Sequence, residues 1–288
     1  MGLERLLLRD RAIVTAALCL VITGSWFYIL TGAGMAKPAL DMSSLSMALG
    51  VSGETGVMPK DMSPEIPGTM VSMAIPADWT FHYAIIMFVM WWVMMLAMML
   101  PSAAPMILLH ARVTRREQLR LGVAGGLMPS AAFAAGYILV WGLFSVIAAS
   151  LQWSFEAAGV LSPMMMNATS AAFAGGILTF AGIYQLSPVK KACLRHCRGP
   201  LQFLTRNWRP GASGACVMGL HHGAYCFGCC WGLMGILFFG GIMNLYWVIG
   251  LALIVLMEKL LPVGPRLGNF SGGLLLLAGS AFFVRSLT

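Results

Sequence analysis

Two histidines and four cysteines lie close together in the segment CVMGLHHGAYCFGCC, which covers residues 216–230. On a helix each residue advances about 100° around the axis, so His222, Cys226 and Cys229 fall within an arc of roughly 60°. His221 points to another side of that helix. The segment therefore predicts that an imidazole, two or three thiols and a thioether share one helical face. The candidate metal ligands of this cluster are His222, Cys226, Cys229, Cys230, Met218, His221 and Cys216.

These residue types bind soft metal ions. Thiolate, thioether and imidazole ligands suit Cu(I) and Zn(II) far better than Mg or Ca. A thiolate is costly in an apolar interior, and a bound cation offsets that cost. Isolated cysteines in apolar helices usually act as small packing residues, whereas histidines inside a membrane span tend to be functional. We therefore predict a transition-metal site, with Cu(I) as the first candidate and Zn as the second.

A thiol–disulfide pair is the alternative for the same cysteines. Cys226 and Cys229 have the Cys-x-x-Cys spacing of redox proteins. That motif normally lies at a helix N-terminus in a soluble fold, and burial in mid-span slows thiol exchange. The spacing therefore favours this alternative less than a metal site.

Further sulfur and imidazole side chains form possible secondary sites. The sequence Cys-Leu-Arg-His-Cys at residues 193–197 lies in a basic stretch, where nearby cations favour thiolate, but it lacks the two further ligands of a zinc finger. Methionines recur at helical spacing in residues 87–98, a pattern that more often fills a core than binds metal. The possible secondary ligands are Cys193, His196, Cys197, Met90, Met94 and Met98.

Two adjacent charged residues close an apolar run near the C-terminus. Glu258 and Lys259 stand just before Pro262. They form either an interfacial ion pair of little energetic weight or a charge-balancing pair inside the bundle. The sequence leaves both roles open.

The elements that position these residues follow from composition. The chain is 59% hydrophobic and only 10% charged, with a mean hydropathy of +0.83, whereas soluble domains carry about 25% charged residues. Lipid is therefore the expected solvent. The net charge of +8 does not indicate nucleic-acid binding, because the basic residues form short runs between apolar stretches.

Apolar runs of near-spanning length predict an all-α, polytopic transmembrane helix bundle of about seven spans, or six if the short last run does not cross. We expect an N-terminal span in 1–34, a methionine-rich outer loop at 35–78, and a helical membrane domain at 79–288 with the Cys/His cluster in the span 211–239. Gly219/Gly223 and Gly228/Gly232 have the spacing that allows close helix approach. The runs cover about 12–33, 81–100, 127–149, 168–186, 211–239, 245–261 and 272–284.

The basic residues also predict orientation. Most Lys and Arg residues lie before the first run, after the second and after the fourth. By the positive-inside tendency these parts face the cytoplasm. The expected location is thus a bacterial inner membrane, with a cytoplasmic N-terminus and a first run that is retained rather than cleaved.

Five sequence patterns resemble a bacterial family of predicted metal-binding integral membrane proteins, a domain of unknown function. The resemblance extends over residues 79–262 and implies membrane location and metal binding, without a metal, substrate or reaction. The patterns are MWWVMMLAMMLPSAAP, YQLSPVKKACLRHC, GLHHGAYCFGCCWGLM, GIMNLYW and MEKLLP.

Three functions remain open at this point. The leading hypothesis is a membrane protein that handles metal, with copper first, in transport, delivery or metallation of a membrane or extracytoplasmic partner. The alternatives are an accessory or assembly subunit of a membrane enzyme complex and a membrane thiol oxidoreductase. The chain contains no Walker motif, HExxH or Ser-His-Asp pattern, so a role without enzymatic activity is favoured.

Overall fold

The chain folds as a helical bundle. The computed structural model describes residues 2–34, 38–40, 43, 79–122, 126–163 and 166–287, so the methionine-rich segment 35–78 lies almost entirely outside the described residues. The helices within the described part are α1 (Gly2–Leu30), α2 (Phe81–Arg120), α3 (Met128–Ala157), α4 (Ala171–Leu186), α5 (Pro188–Arg198), α6 (Pro200–Asn207), α7 (Gly211–Met234), α8 (Leu237–Gly240), α9 (Leu245–Leu260) and α10 (Gly264–Leu287).

Helix α7 lies at the centre of the bundle. It packs most extensively against α3 and also contacts α5, while α2 contacts α1, α3 and α9, and α4 pairs with α10. Small residues permit the close approach: a side chain at Gly219 would overlap the backbone of Phe133 in α3. A Cβ at Gly228 would lie 2.8 Å from the Cys193 sulfur of α5. The predicted role of these glycines in helix packing is confirmed.

Helix α2 is longer than the sequence predicted. The apolar run was expected to end at Pro101, but the helix continues through Pro101 and Pro105 to Arg120. An interior proline costs a helix about 3 kcal/mol. Beyond the prolines α2 still buries apolar side chains such as Met106 and Ile107, and this packing offsets the cost because most helix stability comes from tertiary contacts. The basic residues after Leu100 are therefore helical rather than in a loop.

A bend of 61° separates α4 from α5. Pro188 occupies the first turn of α5, and the Ser187 side chain caps it by accepting a hydrogen bond from the Lys190 backbone N–H at 3.2 Å. Serine at the cap and proline at the first position are the residues that favour a helix start. The bend turns α5 against α7, and this contact brings two distant cysteine segments together.

Several of these helices have the length and apolarity of membrane spans. In the described part of the chain five stretches pass on these two criteria: Asp10–Leu30, Phe81–Arg120, Met128–Ala157, Gly211–Gly240 and Gly264–Leu287. The bent pair α4–α5 would make a sixth, and α9 has only 16 residues. The all-helical class is confirmed, and the number of spans stays a prediction.

Candidate metal centre

Three cysteines of α7 are fully buried near the middle of the bundle. Cys226, Cys229 and Cys230 are each no more than 2% exposed. The sulfur of Cys229 lies 3.2 Å from that of Cys230, and it donates to the Cys226 carbonyl oxygen at 3.2 Å. The adjacent residues Cys229 and Cys230 thus form a close thiol pair within α7.

A second helix brings further thiols to this group. The Cys197 sulfur of α5 lies 3.9 Å from the Cys229 sulfur of α7. Two thiolates bound to one ion at about 2.3 Å each stand roughly 4 Å apart, so this separation suits a shared ligand pair. Cys193 also faces α7, opposite Gly228. The sequence predicted a separate site at residues 193–197, but the fold brings the cysteines of this segment and those of α7 together at the α5–α7 interface.

A buried lysine lies on the other side of this cluster of thiols. The Lys259 ammonium of α9 donates to the Cys226 sulfur at 2.9 Å and to the Ser102 hydroxyl at 3.0 Å. Its residue is only 7% exposed. The Tyr137 hydroxyl of α3 also contacts the Cys226 sulfur, at 3.1 Å. Four helices therefore hold Cys226 beside a fixed positive charge.

Glu258 and Lys259 do not pair with each other. The Glu258 carboxylate accepts from Lys190 of α5 at 2.6 Å, and both side chains are 2% exposed. Gln185 bonds both partners of this ion pair. Neighbouring residues on a helix point about 100° apart. The Glu258 carboxylate therefore contacts α5, while the Lys259 ammonium contacts the Cys226 sulfur. The contact between Lys259 and Cys226 was not predicted from the sequence, where its only signal is an ionisable residue inside an apolar run.

His222 is the one histidine of α7 that points into the bundle. It is 4% exposed and stacks on Tyr137 and Phe133 of α3, with ring centroids 5.7 and 6.1 Å apart. Its Nδ1 has no hydrogen-bond partner among the described residues. Buried polar atoms are nearly always bonded, so this nitrogen has free ligand capacity about one helical turn from Cys226.

Three further candidates of the α7 segment lie away from the thiols. Met218 is buried, but its sulfur accepts from the Arg209 backbone N–H at 3.2 Å, and the helix rise places it about 12 Å from Cys226. Cys216 is half-buried and about 15 Å away on the same measure. His221 is exposed, as its predicted position on another side of the helix implied.

The remaining secondary candidates divide into two groups. His196 is exposed and stacks on Tyr225 at 4.2 Å, with Nδ1 directed at the backbone carbonyl of Ala192. The methionines of α2 are at most 2% exposed and belong to the core. The candidates among them are Met90, Met94 and Met98.

The thiols form hydrogen bonds with neighbouring side chains and do not surround a common metal position. Among the described residues, no three His, Cys, Asp or Glu side chains are placed as ready metal ligands. Cys226 is bonded to Lys259, and Cys229 to Cys230 and Cys197. A metal ion bound by these sulfur atoms would replace the hydrogen bonds that they make here.

Comparison with models of known protein families gives a match. A family model described as PpoB2, copper chaperone, matches residues 88–282, which is more than half of the chain and includes α3, α5, α7 and α9. This match supports the metal-related part of the resemblance, and the description of the family suggests copper as the metal. No curated protein and no solved structure matches the chain.

Proposed function

Because the chain belongs to the PpoB2 family of copper chaperones, we propose that it is an integral membrane protein that binds Cu(I) through the cysteines of α5 and α7 and delivers the ion to a protein partner. The observation that carries this proposal is the cluster of thiols contributed by two helices. In this cluster the Cys197 sulfur contacts the Cys229 sulfur, next to the contact between Lys259 and Cys226. His222 is the additional ligand nearest to it along α7.

The arrangement of the basic residues supports a membrane setting. Asp10 of α1 pairs with Arg115 of α2 at 2.8 Å, and His110 of α2 contacts Trp208 after α6 at a ring distance of 5.8 Å. The N-terminal helix, the end of α2 and the basic α5–α6 region thus meet at one end of the bundle. This agrees with a cytoplasmic N-terminus in a bacterial inner membrane under the positive-inside tendency.

We infer from helix lengths that the cluster of thiols lies near the cytoplasmic edge of the bilayer. The part of α2 from Phe81 to Ser102 is roughly 31 Å long, close to the hydrocarbon thickness of about 30 Å. Ser102 contacts Lys259, and Lys259 stands at the end of α9. Cys197 is only half-buried, so α5 gives a partner access to the thiols from that side. Delivery by exchange of one thiolate ligand for another keeps the ion coordinated throughout.

Charge balance favours a monovalent ion. Two thiolates and Cu(I) carry one net negative charge, which the Lys259 ammonium neutralises. Two thiolates and Zn(II) are already neutral, so the same ammonium would remain as a buried, unbalanced charge, and such charges are costly. Lys259 is therefore the residue that we expect to set the preference for Cu(I) over Zn.

Replacement of Lys259 by methionine tests this proposal. Lys259→Met should lower Cu(I) affinity by about a hundredfold, because the negative charge of the Cu(I)–thiolate site then stays buried without its ammonium partner, at a cost of roughly 3 kcal/mol. The same substitution should reduce the preference for Cu(I) over Zn. Competition titrations of the detergent-purified protein with Cu(I) and Zn(II) chelators measure both affinities. Lys259→Arg keeps the charge and should retain the preference. Equal Cu(I) affinity in Lys259→Met and the unchanged protein would contradict the charge-balance argument.

A further inference from the structure

A cavity of about 540 Å³ lies between α5 and the first turns of α10. Two of its basic side chains already have partners: Lys190 bonds Glu258, and Arg198 donates to the Glu258 backbone carbonyl at 2.7 Å. The other two, Lys191 and Arg195, are exposed and have no ion pair among the described residues. The cavity therefore presents two cations that are free to contact a ligand.

The surroundings of the cavity are strongly positive. Residues 188–209 include six Lys and Arg residues and no acid. The nearest carboxylate, that of Glu258, is engaged by Lys190 and Gln185. The opposite wall is the N-terminal part of the 24-residue α10, through Gly268 and Asn269, and a helix N-terminus adds partial positive charge. The ligand that fits this cavity is an anion.

An exposed apolar surface begins directly beside the cavity. Phe270 follows Asn269 in α10 and is 72% exposed, and Leu277 is 70% exposed. These two residues are seven positions apart and so share one face of the helix. A cationic cavity at the foot of an apolar helix face fits an amphiphile with an anionic headgroup and hydrocarbon chains. A free phosphate ion would use only the first of these two features.

We infer that the cavity binds the phosphate headgroup of an anionic phospholipid. Lys191 and Arg195 contact the phosphate, and the acyl chains lie along Phe270 and Leu277. The inference rests on the membrane setting of the proposed function, which places α5 and the start of α10 at the cytoplasmic surface, where anionic lipids attract basic residues.

The bound lipid would also affect the position of the α5 cysteines in the cluster of thiols. Lys191 and Arg195 lie on one face of α5, and Cys193 and Cys197 lie about 200° away on the opposite face. The headgroup thus holds α5 from the outside while its cysteines face α7. Through this arrangement the lipid fixes α5 against the copper-binding helix.

Lipid titration followed by native mass spectrometry tests this inference. Full-length protein in detergent is titrated with phosphatidylglycerol, phosphatidylcholine or inorganic phosphate. We expect the unchanged protein to prefer phosphatidylglycerol, and Lys191→Gln with Arg195→Gln to weaken that binding by about thirtyfold, since each basic contact contributes about 1 kcal/mol. Arg112→Gln with Arg116→Gln removes two exposed charges from α2 and should leave binding unchanged.

Each other outcome contradicts the inference. Equal binding of the two lipids, or equal weakening in both double variants, would exclude a specific site. Displacement of phosphatidylglycerol by excess inorganic phosphate would assign a site for free phosphate instead. Cu(I) stoichiometry measured on the same samples separates the two proposals: copper binding without lipid preference overturns only the lipid site, and lipid preference without copper binding overturns only the copper proposal.

Discussion

Cys226→Ser combined with Cys229→Ser is expected to abolish stoichiometric Cu(I) binding. The double variant removes the sulfur beside Lys259 and the sulfur that contacts both Cys230 and Cys197. Because the binding free energy of thiolate metal sites is shared among a few ligands, affinity should fall by roughly a thousandfold or more. The measurement is the copper content of purified protein after loading with Cu(I) and removal of free ion.

Cys216→Ser provides the matched control for this prediction. Cys216 belongs to the same helix but is half-buried and about 15 Å from Cys226, so its loss should leave copper content unchanged. Cys197→Ser should weaken binding less than the double variant and test the contribution of α5. Full copper content in Cys226→Ser/Cys229→Ser would exclude these thiols as ligands.

Glu258→Ala is expected to lower the free energy of unfolding more than any of the other substitutions proposed above. It leaves the Lys190 ammonium buried without its carboxylate, although both side chains are only 2% exposed. Breaking a buried ion pair from one side costs about 3–5 kcal/mol, and the free energy of unfolding in detergent should fall by that amount. The double variant Lys190→Met/Glu258→Leu replaces both charges with apolar groups and should recover most of the loss. A Glu258→Ala protein as stable as the unchanged chain would show that water reaches Lys190.

The helical class and one face of the site follow from local rules. Apolar runs predicted the long helices, and the 100° advance per residue placed His222, Cys226 and Cys229 inward and His221 outward. The full length of α2 did not follow, because burial beyond Pro101 and Pro105 outweighs the local preference of proline to end a helix.

The rest of the site depends on contacts between distant segments. Cys197 and Cys229 are 32 residues apart, and only the bend between α4 and α5 brings them together. The contact between Lys259 and Cys226 likewise depends on how α9 packs against α2 and α7. The sequence contained both residues, but no spacing rule relates them.

X-ray absorption of the copper-loaded, full-length protein tests the central proposal most directly. The proposal predicts an edge characteristic of Cu(I) and a first shell of two or three sulfur atoms at about 2.3 Å. A shell made only of nitrogen and oxygen, or the absence of retained copper, would contradict copper binding by the cysteines of α5 and α7.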